Sequence, residues 1–228
     1  MMQTHTSKEF EQELRNLRER LALMGGRCEQ QIRRAMLALS DRDSEMAREV
    51  TRADQDIDRD ETEIDELAFQ MLATRQPVAG DLRLVMLALK WVTDLERIGD
   101  LAAGIARRAV ELTPMPPLEP QGELGRLAAL VLRNLQRVLD AFSAKDADLA
   151  TTVIQADSEI DRLNASLFAE LIAHVATDAS TVTRVIPLTS VCRYLERIGD
   201  HVKNLAEDVV YMVRAQDVRH RPLPAPAN

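Results

Sequence analysis

Carboxylate pairs recur at one fixed spacing in this chain. The pairs are Asp54 and Asp58, Glu96 and Asp100, Asp157 and Asp161, and Glu196 and Asp200. Residues four apart lie on one face of an α-helix, about 5–6 Å apart at Cβ, so two like charges there repel each other. A bound cation reverses that effect. Two such pairs on packed helices would form an all-oxygen site suited to Mg, Ca, Mn or a carboxylate-bridged iron or zinc cluster. The spacing therefore predicts cation sites at these eight residues.

Salt bridging between helices would explain the same pattern without a metal. An arginine stands directly beside a member of every pair, at Arg59, Arg97, Arg162 and Arg197. Both interpretations remain open on the sequence alone.

A ferritin-type di-iron site requires Glu-x-x-His on two helices. The position three residues after each glutamate of the pairs is glycine here, Gly99 and Gly199. His201 directly follows Asp200 and is a possible metal ligand, whereas Leu101 takes the same place in the first half. The chain contains no GxSxG, Walker or dinucleotide-binding motif. The sequence thus offers no constellation for nucleophilic catalysis.

The composition favours packed helices. Of 228 residues 46% are apolar but only 3% aromatic, so the core must consist of Leu, Val, Ile, Ala and Met. The net charge of −8, with scattered Lys and Arg, argues against nucleic-acid binding. Two isolated cysteines, Cys28 and Cys192, indicate a reducing compartment. The apolar runs are far shorter than the roughly 20 residues of a membrane span, and the N-terminus lacks a signal-peptide pattern. We therefore expect a cytoplasmic protein.

Hydrophobic periodicity predicts six long helices. They cover about 8–39 with a bend at Gly25-Gly26, a second helix from the turn at 40–43 to about 74, about 81–112, about 124–142, a fifth from the turn at 145–146 to about 175, and about 181–213 with a kink or late start at Pro187.

The two halves of the chain repeat each other. The pattern Ala-Asp-x-x-Ile-Asp-Arg at 53–59 returns at 156–162, and Leu-Glu-Arg-Ile-Gly-Asp at 95–100 returns at 195–200. Short loops force neighbouring helices to run antiparallel. The sequence therefore predicts an all-α fold of two tandem, pseudo-symmetric three-helix bundles. We expect a first bundle at 1–112, a proline-rich linker at 113–121, a second bundle at 122–215 and a disordered tail at 216–228.

At these motifs the chain resembles the PhoU family of phosphate-uptake regulators. The resemblance lies in the run RQPVAGDLR at 75–83, the run DLERIGD at 94–100 and the run ERIGDH at 196–201. It extends over nearly everything from Phe10 to Val213. Members of the family are tandem three-helix bundles with a Glu/Asp-x-x-x-Asp motif on two helices of each half.

The resemblance implies a cytoplasmic negative regulator of the phosphate regulon that has no enzymatic activity. It would be an adaptor between the ATPase subunit of the phosphate ABC transporter and a sensor histidine kinase, meeting the membrane only through these partners. Homodimers are common in the family. Some members bind multinuclear iron or zinc clusters, a role that transfers here to Asp54, Asp58, Glu96, Asp100, Asp157, Asp161, Glu196 and Asp200. A carboxylate-bridged metalloenzyme and a passive helical scaffold remain the alternatives.

Overall fold

A computed structural model describes residues 3–118 and 121–219. Its helices are α1 (Gln3–Asp41), α2 (Ser44–Arg75), α3 (Ala79–Leu112), α4 (Gln121–Ala144), α5 (Ala147–Thr177) and α6 (Val182–Arg214), with one 3₁₀ turn at Ala179–Thr181. No strand occurs within these ranges. The predicted all-α fold with six long helices is confirmed.

The turns before α2 and α5 are built alike. Asp43 caps α2 by accepting hydrogen bonds from two backbone N–H groups of its first turn, and Asp146 does the same for α5. The residue before each cap has a positive φ, 59° at Arg42 and 54° at Lys145. The cap residues are 103 positions apart, so the sequence repeat extends to the geometry of the turns.

The helices pack as two sets of three. Within each half every helix contacts the other two, while α3 packs along α6 and α1 contacts α4 across the halves. A single buried apolar cluster extends through both sets. The domain boundaries predicted from the sequence stay a prediction, because this core is continuous between the halves.

Polar pairs also connect α3 to α6. The Lys90 Nζ atom donates to Asp208 Oδ1 at 3.1 Å, and His201 Nδ1 lies 2.7 Å from Asp94 Oδ1. Asn204 of α6 donates a hydrogen bond to Asp94 of α3. The residues that correspond to these two in the other half are Gly104 and Tyr194, and Gly104 packs against the Tyr194 ring. These matched contacts relate the halves by a pseudo-two-fold axis at the α3–α6 interface.

Two local expectations concern Gly25-Gly26 and Pro187. Helix α1 continues through Gly25-Gly26, and the bend expected there stays a prediction; a Cβ atom on Gly25 would overlap the Leu139 side chain of α4, so this glycine permits close packing. At Pro187 the sequence predicts a kink or a late start; α6 begins at Val182, five residues before the buried Pro187, so the late start is excluded and the kink stays a prediction. Pro187 lies in the second turn, where its missing N–H removes one backbone hydrogen bond of the helix.

The linker and tail are only partly described. Residues 114–118 lie outside the helices, as expected for a proline-rich segment, while 119 and 120 lie outside the described residues. Of the predicted disordered tail, 216–219 follow α6 as non-helical chain, and 220–228 lie outside the described residues. No described helix is long and apolar enough to cross a bilayer.

Helix α2 packs closely against α3 at Gly99. A Cβ atom built there would lie 2.9 Å from Ile57 Cδ1 and 3.1 Å from Asp54 Oδ1. The second half repeats the arrangement, because a Cβ on Gly199 would lie 3.1 Å from Ile160 Cδ1. Both isoleucines are fully buried. A side chain larger than hydrogen at either glycine would push the paired helices apart.

We predict that Gly99→Leu lowers the free energy of unfolding by about 2 kcal/mol, because the added side chain overpacks the contact with Ile57. Urea denaturation measures the change. Gly26→Leu is the matched control: it lies inside α1 with no atom within 4 Å of an added Cβ, and it should raise stability by up to about 1 kcal/mol. Equal effects of the two substitutions would show that helix propensity and not packing dominates at Gly99.

Candidate functional site

The structure brings the two acidic motifs of the first half together. Asp54, Asp58 and Glu61 of α2 face Glu96 and Asp100 of α3, and these five residues are called the first acidic face. Sequence analysis missed Glu61. The available signal was its position three residues after Asp58, which continues the same helical stripe.

Burial and mutual repulsion make the first acidic face electrostatically strained. The pKa of Glu96 is raised first by burial and then by the negative charges of Asp100, Glu61 and Asp58. The pKa of Asp54 is also raised, mainly by burial, although the Gln31 amide donates a hydrogen bond to its Oδ1 at 2.9 Å. These shifts mean that burial first, and mutual repulsion after it, disfavours the ionised form of these carboxylates.

The neighbouring arginines relieve this repulsion only in part. Arg97 lies 3.4 Å from Glu96 and 3.3 Å from Asp100, both on its own helix, and more than half of its side chain is exposed. In the part of the chain that the structure describes, the other three arginines make no ion pair with the predicted carboxylate pairs; Arg59 pairs with Asp56 instead. Salt bridges from the adjacent arginines to a neighbouring helix therefore do not account for the repeated acids.

The second half has the corresponding carboxylates, but there a lysine pairs with one of them. Asp157 and Asp161 of α5 and Glu196 and Asp200 of α6 form the second acidic face. The Lys203 Nζ atom donates to Asp157 Oδ2 at 2.6 Å, and Asp157 is only 6% exposed. The second acidic face thus contains its own cation.

The first acidic face has no equivalent lysine. The position corresponding to Lys203 is Ala103, which is fully buried, and Asp54 is paired with the neutral amide of Gln31. The two acidic faces, which have equivalent carboxylates in the sequence repeat, therefore differ in the groups that pair with those carboxylates. Lys203 could have been noticed in the sequence three residues after Asp200, where it shares a helix face with that acid.

The repulsion persists among the remaining acids of the second face. The pKa of Glu196 is raised by burial and then by Asp200 and Asp161. The pKa of Asp200 is raised by burial and then by Asp157 and Asp161, against the opposing effect of Lys203. The lysine compensates the most buried carboxylate and leaves the outer ones charged.

The carboxylate chemistry of these faces suits a metal ion, but their arrangement does not. Across 3–118 and 121–219, no three His, Cys, Asp or Glu side chains converge closely enough to hold one. His201, considered above as a ligand, bonds to Asp94 of α3. Lys203 already stands against Asp157 where a cation would be needed. The iron or zinc cluster stays a prediction of the resemblance, and no step below depends on it.

Comparison with known proteins gives a consistent answer at the level of sequence. The family model described as the PhoU domain matches the chain twice, over residues 21–109 and 124–209. A phosphate-specific transport system accessory protein PhoU homolog of Pseudomonas aeruginosa is 43% identical over 218 residues, covering 95% of this chain and 90% of the relative. The accessory protein PhoU of Escherichia coli K12 is 36% identical over 216 residues, covering 95% and 90%.

Solved structures agree with the sequence matches. The crystal structure of PhoU from Pseudomonas aeruginosa superposes with a TM-score of 0.88 at 41% identity, covering 91% of this chain and all of that one. The phosphate transport system regulatory protein PhoU from Streptococcus pneumoniae gives 0.86 at 29% identity, covering 92% and 99%. The two stretches that match the family model contain the first and the second acidic face respectively.

We predict that Glu96→Gln raises the free energy of unfolding at pH 7 by about 0.5 kcal/mol, the size of a like-charge helix pair. Its folded pKa lies above the ordinary 4.5, so ionisation destabilises the folded state as pH rises through that pKa. The gain should therefore vanish below pH 4.5, where the wild-type carboxyl is protonated in both states. Urea titrations at several pH values measure it. The same gain from Glu66→Gln, an exposed carboxylate outside the cluster, would contradict this account.

We predict that Lys203→Met lowers the free energy of unfolding by about 2 kcal/mol, because Asp157 loses its cation while staying buried. Arg214→Met removes the exposed pair with Asp148 and should cost no more than about 0.5 kcal/mol. Thermal unfolding of both variants makes the comparison, and equal losses would show that burial of the pair contributes nothing.

Proposed function

This chain belongs to the PhoU family, and we propose that it is a cytoplasmic accessory protein of phosphate-specific transport that restrains the phosphate regulon. The observation that carries the proposal is the match to accessory proteins of phosphate-specific transport over 95% of the chain. These relatives are named as accessory proteins and not as enzymes, which fits the absence of a catalytic motif in the sequence. We propose no catalytic step.

In this proposal the protein acts by binding other proteins. Its partners would be the ATPase subunit of the phosphate transporter and the sensor histidine kinase, and the membrane would be reached only through them. When phosphate is plentiful, the bound protein would hold the kinase in its inactive state. A second copy of the chain is a further proposed partner.

The first acidic face is the better candidate for the docking surface. Its carboxylates repel one another and have no buried cation among them, so a basic surface on a partner would lower their energy. Lys203 already provides that compensation in the second acidic face. Asp100 keeps nearly half of its side chain exposed, which leaves its charge accessible to a partner.

Deletion of the gene in its host tests the regulatory role. We expect constitutive expression of phosphate-scavenging genes, measured with a reporter at high phosphate, and repression restored by the wild-type gene. Glu96→Gln/Asp100→Asn should restore it poorly at equal protein levels. Glu11→Gln/Glu19→Gln, which removes two exposed charges of α1, should restore it fully. An unchanged phosphate response after deletion would favour a passive scaffold.

Binding measurements separate the docking surface from the regulatory role. Affinity for the purified ATPase subunit and for the kinase should fall with added salt, because the attraction between exposed charges is screened. The same Glu96→Gln/Asp100→Asn variant should bind weakly and lose most of the salt dependence. Binding that ignores both salt and the substitutions would refute docking through the first acidic face, even if deletion derepresses the regulon.

A further inference from the structure

A cavity of about 470 Å³ lies where the linker meets the two halves. Its walls come from the end of α1, the end of α3 with linker residues 113 and 116–118, the first turns of α4 and the first turns of α6. The volume falls within the range of about 300–1,000 Å³ typical of small-molecule pockets. None of the acidic motifs contributes to it, so this cavity is distinct from both acidic faces.

Apolar side chains form most of the lining. They come from all four wall segments and include Met36, Leu39, Leu112, Leu118, Ala128 and Leu188. Pro116 and Pro117 form part of the linker wall and restrict its backbone. The cavity therefore offers an apolar surface on which a ligand could bury a hydrocarbon body.

Three arginines stand at the same cavity: Arg33, Arg42 and Arg184. The Arg42 guanidinium is half-buried and donates to the backbone carbonyls of Leu112, Thr113 and Met115. These carbonyls are neutral, so they hold the guanidinium in place without cancelling its charge.

The charge of the Arg184 guanidinium likewise has a neutral hydrogen-bond partner. Its Nη1 atom reaches the Pro117 carbonyl at 3.5 Å. Within the described ranges neither Arg42 nor Arg184 has a carboxylate at ion-pair distance, whereas Arg33 is paired with Glu29 at 2.7 Å. The pKa of Asp178 is lowered mainly by hydrogen bonds from Ser180 and to a lesser extent by Arg184, and this carboxylate lies beyond ion-pair distance of Arg184. A chain of net charge −8 therefore carries a positively charged, apolar cavity at this place.

We propose that this cavity binds a small amphipathic anion, with its apolar body against the lining and its single anionic head group at Arg184 and Arg42. The head would accept charge-assisted hydrogen bonds from guanidinium groups that neutral carbonyls leave unneutralised. A neutral apolar molecule would leave these charges without a counter-ion, and a free inorganic anion would gain nothing from the lining. The inference does not depend on the regulatory role proposed above.

Two glycines of α4 provide a matched pair of variants. Gly125 lines the cavity and Gly122 does not, yet a Cβ atom on either would meet no other atom within 4 Å. Gly125→Leu should therefore fill the cavity without straining the fold, and replacing a helical glycine should if anything add stability. Gly122→Leu makes the same chemical change one turn away and leaves the cavity open.

Isothermal titration calorimetry with decanoate, 1-decanol and inorganic phosphate tests the proposal on the full chain. We expect saturable 1:1 binding of decanoate, weakened about tenfold or more by Gly125→Leu and unchanged by Gly122→Leu. Arg184→Gln should weaken decanoate about tenfold, the effect of losing one charge-assisted contact, and leave decanol unaffected. Arg42 is not substituted, because its hydrogen bonds hold the linker. Circular dichroism and unfolding midpoints confirm that each variant is folded.

Several results would overturn the proposal. Absence of saturable decanoate binding to the wild type would do so, as would equal affinity for Gly125→Leu. Decanol binding as tightly as decanoate would show that the arginines do not select an anion. Inorganic phosphate binding as tightly as decanoate would show that the apolar lining does not contribute.

Discussion

The close approach of paired helices at Gly99 and Gly199 is the constraint on which the rest of the structure depends. Because neither glycine has a side chain, Ile57 and Ile160 can pack directly against the backbone of the next helix. This contact fixes the rotation of α2 against α3 and of α5 against α6. Each acidic motif lies within four residues of its contact, so the same rotation sets the acids of the two helices side by side. The acidic faces are thus a consequence of apolar packing and are held against their own repulsion.

The two halves differ in the side chains that offset the repulsion between their carboxylates. Asp157 is nearly buried and has the ammonium group of Lys203, whereas Asp54 is less buried and has the Gln31 amide. The partners of α3 and α6 differ in the same way: His201 bonds to Asp94, but the equivalent position in the first half is the apolar Leu101. The second acidic face therefore has a lysine against its most buried carboxylate, whereas the arginine that pairs within the first acidic face, Arg97, is more than half exposed.

The sequence predicted the helices well because their signals are local. Apolar periodicity, the turns at 40–43 and 145–146 and the helix-breaking prolines each act within a few residues, and all six helices follow from them. The pairing of Gly25 with Leu139 could not be predicted, since it joins α1 to α4 across more than a hundred residues. Glu61 and Lys203 were missed for a related reason. Each occupies an ordinary helical position, and only the rotation of the packed helices shows that it belongs to an acidic face.

The repulsion within the first acidic face is the feature that favours it as a binding surface. Charged residues that stabilise a helix surface are paired with residues of opposite charge, as Arg34 of α1 is with Glu49 of α2. Glu96 instead is partly buried among Asp58, Glu61 and Asp100, which raises its pKa and destabilises the folded state at neutral pH. Substituting a single carboxylate by its amide would remove this strain without changing its shape. In the docking proposed above, the compensating positive charge for this cluster is the basic surface of a partner that binds the first acidic face.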